Sequence, residues 1–215
     1  MNAAVALPAA VEAARPLLAV LDMAGVAVFA VSGALAAARA KQTIVTFAFF
    51  AAVTGIGGGT LRDLLIGAPV FWVGRSDYLA VCLIAAGAVW LLRADRWRLQ
   101  ALLWFDALGM GAYAVIGAAK AQNYGVPPLP AVVMGVLTAS FGGIVRDVLA
   151  GEPSVLLRRE IYVSAAALGA ASFVGLSALG LAPLSAGIIG AAAGFGLRAV
   201  AITTGLALPG YRTEK

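Results

Sequence analysis

A small set of charged side chains lies inside otherwise apolar stretches of this sequence. These residues are Asp22, Arg62, Asp63, Asp106, Arg146 and Asp147. A charge inside an apolar span is costly, and it normally faces another charge or water, where it marks the route of an ion or a polar solute. The pattern therefore indicates the route of an ion or of another polar solute. Because no nucleophile–base constellation accompanies it, it does not favour an enzyme.

The charged pairs belong to a segment that occurs twice. Residues 54–69 read TGIGGGTLRDLLIGAP, and residues 138–153 read TASFGGIVRDVLAGEP, 84 positions later and without a gap. The same offset relates Asp22 to Asp106. Self-similarity at a fixed period of about 80 residues indicates a duplicated structural unit. If each unit contains three membrane helices, the second copy enters the bilayer upside down, as in the inverted repeats of transport proteins.

Composition indicates that lipid surrounds most of the chain. Hydrophobic residues make up 62% and charged residues 12% of the sequence, whereas soluble domains carry about 25% charged residues. The single cysteine, Cys82, and the lack of histidine exclude an intrachain disulfide, histidine-based metal sites and histidine triads. No metal or cofactor is expected. The net charge of +5 is expected to set membrane topology, and no nucleic-acid partner is expected.

Seven stretches are apolar enough to form helices that cross a membrane. They are residues 17–38, 43–67, 78–92, 99–119, 128–151, 161–179 and 184–207. We therefore predict an all-α integral membrane protein with a single membrane domain over 1–215. Within it we expect a first repeat over 17–93, an inverted second repeat over 99–180 and a seventh helix over 184–207. The second and fifth helices carry the glycine clusters.

Basic residues in the short loops predict the orientation, because cytoplasmic loops carry an excess of lysine and arginine. One side carries Arg15, Arg75 and Lys120. The other side carries Arg39, Lys41, Arg93, Arg96, Arg98, Arg158, Arg159, Arg212 and Lys215. The second side is therefore expected to be cytoplasmic, with the N-terminus outside and the C-terminus inside.

Glycine clusters precede the charged pair in both copies. They are Gly57, Gly58 and Gly59 in the second predicted helix, and Gly142 and Gly143 in the fifth. Glycine costs roughly 1 kcal/mol relative to alanine within a helix, so we expect these helices to be kinked beside a wet cavity. Hydroxyl groups near the clusters would line that cavity; they belong to Thr54, Thr60, Thr138 and Ser140. The alternative is close helix packing through small residues.

Depth along the predicted helices divides the charges into two clusters. An outer cluster contains Asp22, Arg62 and Asp63, and an inner cluster contains Asp106, Arg146 and Asp147. We expect Arg62 to pair with Asp22, and Arg146 to pair with Asp106, because sequence neighbours do not face each other on a helix. Each cluster has a formal charge of −1, which favours cations over anions. The alternative is structural ion pairing that only locks the helices together.

Other polar or aromatic side chains lie near the ends of predicted helices. Arg198 has no counterpart in either repeat, and we expect its side chain to snorkel to the membrane interface. Tyr78 and Tyr162 are expected in an interfacial belt of aromatic residues.

The paired GGxxRD motifs, the layout of three, three and one helices and the length together resemble the prokaryotic branch of the trimeric intracellular cation (TRIC) channel family. The resemblance covers nearly the whole chain. It implies a homotrimer in a bacterial or archaeal inner membrane, with an ion path for K⁺ and other monovalent cations such as Na⁺ inside each subunit. It also implies that the glycine clusters kink two pore helices, that the Arg–Asp pairs are the charged positions after them, and that the seventh helix is peripheral.

Different functions stay open at this stage. A cation channel needs a continuous or gated water path. A secondary carrier for a small amino acid such as glycine needs a substrate pocket near the midplane between broken helices. The shortness of the chain and its symmetric charge clusters favour the channel. A membrane scaffold without transport is the remaining alternative.

Overall fold

Seven α-helices contain most of the residues that the computed structural model describes, which are 9–92, 98–157 and 159–209. In chain order they are α1 (Ala9–Arg39), α2 (Ile44–Leu65), α3 (Asp77–Leu92), α4 (Arg98–Asn123), α5 (Pro128–Leu149), α6 (Val163–Ala178) and α7 (Pro183–Thr204). The predicted all-α class with seven helices is confirmed.

The helices differ in length, as their apolar stretches do. Five of them (α1, α2, α4, α5 and α7) contain apolar spans of 18 residues or more, whereas α3 and α6 are apolar helices of 16 residues. Most ends lie within a few residues of the predicted ones, but α1 begins earlier, at Ala9, and α4 continues to Asn123. Several basic residues that predict the orientation lie outside the described residues: Arg93, Arg96, Arg158, Arg212 and Lys215.

Helix packing follows the duplication. In the first half α1 packs against α2 and α3, and in the second half α4 packs in the same way against α5 and α6. The halves meet where α1 packs against α4 and α2 packs against α5. Among the described helices, α7 packs against α4 and α6, so it belongs to the second half and has no counterpart in the first.

Reciprocal contacts between α1 and α4 reveal how the halves are related. The ring of Tyr113 packs over Gly25, and the ring of Phe29 packs over Gly109. The 84-residue offset converts one contact into the other, because Gly25 aligns with Gly109 and Phe29 aligns with Tyr113. A contact in which residue i of one unit meets residue j of the other, and the reverse, is the mark of a twofold axis. The two units are therefore an inverted pair.

The α2–α5 contact lies on the same axis and depends on glycine. A Cβ atom at Gly58 would collide with the carbonyl oxygen of Thr138, and one at Gly142 would collide with the carbonyl oxygen of Thr54. Gly57 lies beside Gly142, because an added Cβ would stand 3.9 Å from its Cα. As numbers rise along α2 they fall along α5 at this contact, so the two helices cross antiparallel.

The backbone stays helical through both glycine clusters. Neither helix is broken at its glycines, and a wet cavity beside them stays a prediction. At Gly58 and Gly142 the alternative applies, since the missing side chains let two helix backbones touch. A bend of either helix at the glycines stays a prediction.

Candidate functional site

The Arg–Asp pairs lie on opposite sides of the α2–α5 crossing. Arg62 is one helical turn beyond Gly58 in α2, and Arg146 is one turn beyond Gly142 in α5, about 6 Å along each axis. Because the helices run antiparallel, these two turns point away from each other. The charges therefore form two groups, which we name the first-repeat cluster (Asp22, Arg62, Asp63 and Lys120) and the second-repeat cluster (Asp106, Arg146 and Asp147).

In the first-repeat cluster the buried carboxylate of Asp63 is the centre. Its Oδ1 atom accepts hydrogen bonds from Arg62 Nε at 2.8 Å and lies 2.8 Å from both Arg62 Nη2 and Lys120 Nζ. Its Oδ2 atom accepts from the backbone N–H of Phe71 at 3.0 Å. Lys120 comes from the last turn of α4, and the sequence interpretation had placed it only among the loop charges. Its ammonium group therefore shares the Oδ1 atom of Asp63 with the guanidinium of Arg62.

The predicted pair of Arg62 with Asp22 is wrong. The Asp22 carboxylate instead accepts hydrogen bonds from the hydroxyls of Tyr78 at 2.5 Å and Tyr113 at 3.0 Å. Those tyrosines satisfy Asp22, and Arg62 folds along its own helix to reach Asp63. The flexible arginine side chain thus overcomes the unfavourable direction of neighbouring Cα–Cβ bonds, on which the prediction had relied.

In the second-repeat cluster the buried guanidinium of Arg146 is the centre. Its Nη1 atom donates to Asp106 Oδ1 at 2.6 Å, which confirms the predicted pair, and also to the hydroxyl of Ser32. Its Nε atom donates to Asp147 Oδ1 at 2.9 Å. Asp147 Oδ2 accepts from the backbone N–H of Val155 at 3.1 Å, the repeat counterpart of the Phe71 bond to Asp63.

One turn type places both aspartates. After α2, Gly67 adopts a φ of +67°, and Ala68 N–H donates to the carbonyl of Asp63 at 2.8 Å; after α5, Gly151 adopts +70°, and Glu152 N–H donates to Asp147 at 3.0 Å. This is the Schellman arrangement, in which a left-handed residue ends the helix and glycine is favoured. The loop that follows bends back over the last turn, so its backbone N–H reaches the carboxylate.

The two clusters differ in charge because of residues outside the repeated motif. Lys120 aligns with Ala36, so the lysine has no counterpart in the second-repeat cluster. Lys120 and Arg62 balance Asp22 and Asp63, and the first-repeat cluster is formally neutral instead of −1. In the second-repeat cluster Arg146 faces two carboxylates, so the predicted charge of −1 is retained.

The second-repeat cluster lines a cavity. This charged cavity has a volume of about 150 Å³. Its charged lining consists of Arg39, Asp106, Arg146, Asp147, Glu152, Glu160 and Arg198. Arg39 and Glu152 approach to 3.6 Å with both side chains partly exposed. The cavity therefore opens on the face that carries Arg39, which the loop charges predict to be cytoplasmic.

The prediction that Arg198 snorkels to the interface is wrong. Its side chain is buried, donates from Nη2 to Glu160 Oε2 at 2.6 Å and from Nη1 to the carbonyl of Ile161 at 3.3 Å, and stacks its guanidinium 5.2 Å from the Tyr162 ring centre. The carboxylate of Glu160 compensates the charge inside the protein, so Arg198 does not have to reach water.

Tyr78 and Tyr162 are also buried, at 3% and 1% exposure, and do not form an interfacial belt. Tyr78 donates a hydrogen bond to Asp22, and the hydroxyl of Tyr162 lies beside Gly143 together with Asp106 Oδ1. Both pairs are related by the offset that relates the aspartates. That shared offset was the signal in the sequence that could have assigned the tyrosines to the clusters.

The predicted hydroxyl groups are near the crossing, but most bond to their own helix. Thr60, Thr138 and Ser140 each donate to a carbonyl four residues earlier, at 2.6–2.7 Å. Thr60 also accepts from the indole N–H of Trp72 at 2.9 Å. The hydroxyl of Thr54 is buried without a hydrogen-bond partner in the described part of the chain, and it lies against Gly33 of α1, whereas the carbonyl of Thr54 faces Gly142 of α5. A pore-lining role for these groups stays a prediction.

The remaining glycines of the clusters contact the charged groups or their neighbours. A Cβ at Gly143 would stand 3.3 Å from the Tyr162 hydroxyl and 3.4 Å from Asp106 Oδ1, whereas one at Gly59 would press on the ring of Phe71. Gly143 therefore leaves room beside the second-repeat cluster. At the equivalent place in the first repeat, an aromatic ring fills the space.

Comparison with known proteins extends these findings. The sequence model of a family described as glycine transporter matches residues 19–94 and again 103–178, which are the two repeats. A UPF0126 membrane protein of Vibrio cholerae is 40% identical over 205 residues, covering 93% of this chain and 84% of the relative. The relative's name identifies it as a membrane protein, in agreement with the apolar helices described above.

Solved structures share the whole fold. The TRIC trimeric intracellular cation channel orthologue from Rhodobacter sphaeroides matches with a TM-score of 0.85 and 46% identity, covering 88% of this chain and 99% of that one. A second TRIC cation channel matches with a TM-score of 0.80 and 28% identity, over 91% and 98% of the two chains. These structures are channels rather than enzymes. The two matched repeats, the inverted seven-helix fold and the sequence identity show that this chain is a multi-pass membrane protein of the prokaryotic TRIC channel family.

Proposed function

We propose that this protein is a channel for monovalent cations, K⁺ foremost and Na⁺ as well, with a path through each subunit of a homotrimer. The observation that carries the proposal is the pair of buried carboxylate clusters on opposite sides of the α2–α5 crossing. Carboxylates at both ends of one helical core favour cations over anions along its length. The similarity to solved TRIC cation channels supports the same function.

The proposed path begins at the charged cavity, where Asp106 and Asp147 face water beside Arg146. It passes the α2–α5 crossing, where the carbonyl oxygens of Thr54 and Thr138 face Gly142 and Gly58. It ends at Asp63. The backbones touch at Gly58 and Gly142, so conduction requires a small separation of α2 from α5 at these glycines.

We infer that Lys120 closes the path at the first-repeat cluster in this conformation. Lys120 Nζ lies 2.8 Å from Asp63 Oδ1 and supplies the charge that a permeating cation would supply. The positive charge of Lys120 repels a further cation and so excludes it from this position beside Asp63. Opening at this end therefore requires the ammonium group of Lys120 to leave Asp63.

The orientation and assembly are part of the proposal. The cavity face carries Arg39 and Lys41, so we place it in the cytoplasm, with the N-terminus outside and the C-terminus inside an inner membrane. The trimer rests on the similarity to trimeric relatives. Exposed apolar side chains along α7, including Ile188 and Ile189, are suited to lipid or to a second copy.

Single-channel recording of the purified protein in a planar bilayer, with a KCl gradient across it, tests the function. Discrete currents with a reversal potential near that of K⁺ are expected. Currents that reverse near the chloride potential would contradict cation selectivity. Detergent-free mass measurement of the same preparation should give three subunits, and a stable monomer would contradict the trimer.

A carrier for glycine is the second candidate, because the charged cavity has both guanidiniums and carboxylates and a volume of about 150 Å³, enough for a small zwitterion. The description of the matching family model agrees with it. Proteoliposomes that take up radiolabelled glycine in a saturable way, without unitary currents, would favour this candidate. Unitary currents without such uptake would exclude it.

A further inference from the structure

The charged cavity is lined by a residue that the repeats cannot supply. Arg198 belongs to α7, which lies outside both repeats, yet it is only 3% exposed and contributes to the cavity wall together with Asp106 and Arg146. Its Nε atom is buried without a hydrogen-bond partner among the described residues, while Nη2 binds Glu160. A helix that would otherwise be peripheral thus places a full positive charge beside the second-repeat cluster.

Glu160 presents the opposite charge at the same wall. Its side chain is about one third exposed, so its carboxylate has access to the water of the cavity, whereas the guanidinium of Arg198 lies buried behind it. The equivalent residue of the first repeat is Ser76, which carries no charge. The pair therefore distinguishes one mouth of the path from the other.

The segment after α7 is attached to the same wall. The backbone N–H of Leu208 donates to the carbonyl of Arg159 at 2.9 Å, and Ala207 forms an antiparallel bridge with Glu160. The wall is consequently held from two directions, by the Arg198 side chain and by the backbone that follows α7. The carboxylate of Glu160 is fixed in place by α7, and its position does not depend on the repeats alone.

The charge balance of the cavity depends on this pair. Four carboxylates and three guanidiniums line the cavity, which leaves a formal charge of −1 among the described residues. Loss of Arg198 would make it −2, and loss of the Glu160 charge would make it 0. A unit charge about 7 Å from a cation in water changes the local cation concentration about threefold, and this effect is screened at high salt.

We propose that Arg198 and Glu160 together set the electrostatic potential of the charged cavity, and through it the rate at which cations reach the path from that side. This inference rests on the proposed channel function. Arg198 acts as a brake on cation access, and Glu160 promotes it. The seventh helix thereby controls conductance without contributing to the path between the repeats.

The test compares Arg198→Met with Arg198→Lys, which keeps the charge, in unitary current recordings at about 0.05 M and 1 M KCl. At low salt we expect Arg198→Met to raise the current carried by cations moving out of the cavity side about threefold, and Arg198→Lys to leave it near the wild-type value. At 1 M KCl, where the Debye length is about 3 Å, the variants should converge.

The double variant Arg198→Met/Glu160→Gln restores the formal charge of −1 and should conduct like the wild type at low salt. It also avoids the buried, unpaired guanidinium that Glu160→Gln alone would leave, so its folding is less at risk. If the pair had a purely structural role, conduction by the double variant would be at least as defective as conduction by Arg198→Met. The defect would also be the same at low and high salt.

The possible outcomes distinguish a failure of the proposed role of Arg198 and Glu160 from a failure of the proposed channel function. A conducting wild type with equal low-salt currents for Arg198→Met and Arg198→Lys would overturn the role of the pair and leave the channel function intact. A wild type without unitary currents would overturn both. A low-salt current that rises in Arg198→Met and returns to the wild-type value in the double variant would establish the pair as a determinant of cation access.

Discussion

The first-repeat and second-repeat clusters have the same motif, the same glycine turn and the same backbone hydrogen bond to the aspartate, yet their surroundings differ. Lys120 fills the position beside Asp63, whereas the equivalent residue of the other cluster, Ala36, is small and lines the charged cavity. Duplication therefore supplies two charged clusters with the same local geometry. Single residues outside the motif then give each end its own behaviour.

The largest expected effect concerns stability and tests how differently the two arginines are held. Arg146→Met removes the only described basic partner of Asp106 and leaves Asp147 with one backbone donor, so we expect a loss of roughly 3–5 kcal/mol in the free energy of unfolding. Arg62→Met is the matched control, because Lys120 still pairs with Asp63. Its loss should be clearly smaller.

Reversible unfolding in mixed micelles would measure both variants. Equal losses would contradict the claim that Lys120 changes the energetics of the first-repeat cluster. A smaller loss for Arg146→Met than for Arg62→Met would mean that the first-repeat cluster depends more on its arginine, the opposite of what we expect.

The next largest effect concerns the glycine contacts of the α2–α5 crossing, which are equivalent in the two halves. Gly58→Ala and Gly142→Ala each drive a methyl group into a carbonyl of the opposite helix, so each should destabilise the fold by about 1–3 kcal/mol. Gly87→Ala, in the middle of α3 with nothing within 4 Å of the added Cβ, is the control and should stabilise by up to about 1 kcal/mol. The same unfolding assay applies, and a large difference between Gly58→Ala and Gly142→Ala would argue against the twofold crossing.

A smaller effect concerns Lys120 in the first-repeat cluster. Lys120→Met leaves the first-repeat cluster with a formal charge of −1, like its counterpart, and should raise the unitary cation current at low salt about threefold. Ala36→Lys places the lysine at the other cluster and should lower the current by a similar factor. Recordings at matched voltage would check both. A lower current in Lys120→Met than in the wild type would mean that the lysine does not close the path.

The smallest effect concerns the ion pair at the cavity mouth. Arg39 and Glu152 lie 3.6 Å apart with partly exposed side chains, and exposed pairs contribute about 0–1 kcal/mol. Glu152→Gln should therefore change the free energy of unfolding by less than about 1 kcal/mol. A loss comparable to that of Arg146→Met would show that the mouth is as tightly held as the buried cluster.

The sequence was sufficient for the parts of the structure that depend on local or periodic signals. Hydrophobic length predicts the seven helices, and the shared offset predicts the inverted pair. The rule that sequence neighbours do not face each other on a helix predicted the bond between Arg146 and Asp106, but it was wrong for Arg62 and Asp22. The missed contacts, such as Tyr113 with Asp22, join residues far apart in the chain. They depend on which face of each helix meets its neighbour, and apolar helices of this kind carry little information on that face because lipid and protein interior are equally apolar.

Lys120 and Arg198 were misjudged for a common reason. Both lie near helix ends, where a basic residue ordinarily reaches water or the lipid headgroups. In this fold each finds a carboxylate from another part of the chain, Asp63 for the lysine and Glu160 for the arginine. Loop length and composition do not predict such pairs, because the partners come together only when α4 and α7 pack against the repeats.

The reversal potential under a KCl gradient, measured for the wild type, Asp63→Asn and Asp106→Asn, tests most directly whether the two clusters belong to one cation path. The account predicts a wild-type potential near that of K⁺ and a shift toward the chloride potential in both variants, since each removes a carboxylate from one end. A wild-type potential near that of chloride, or unchanged selectivity in both variants, would contradict it.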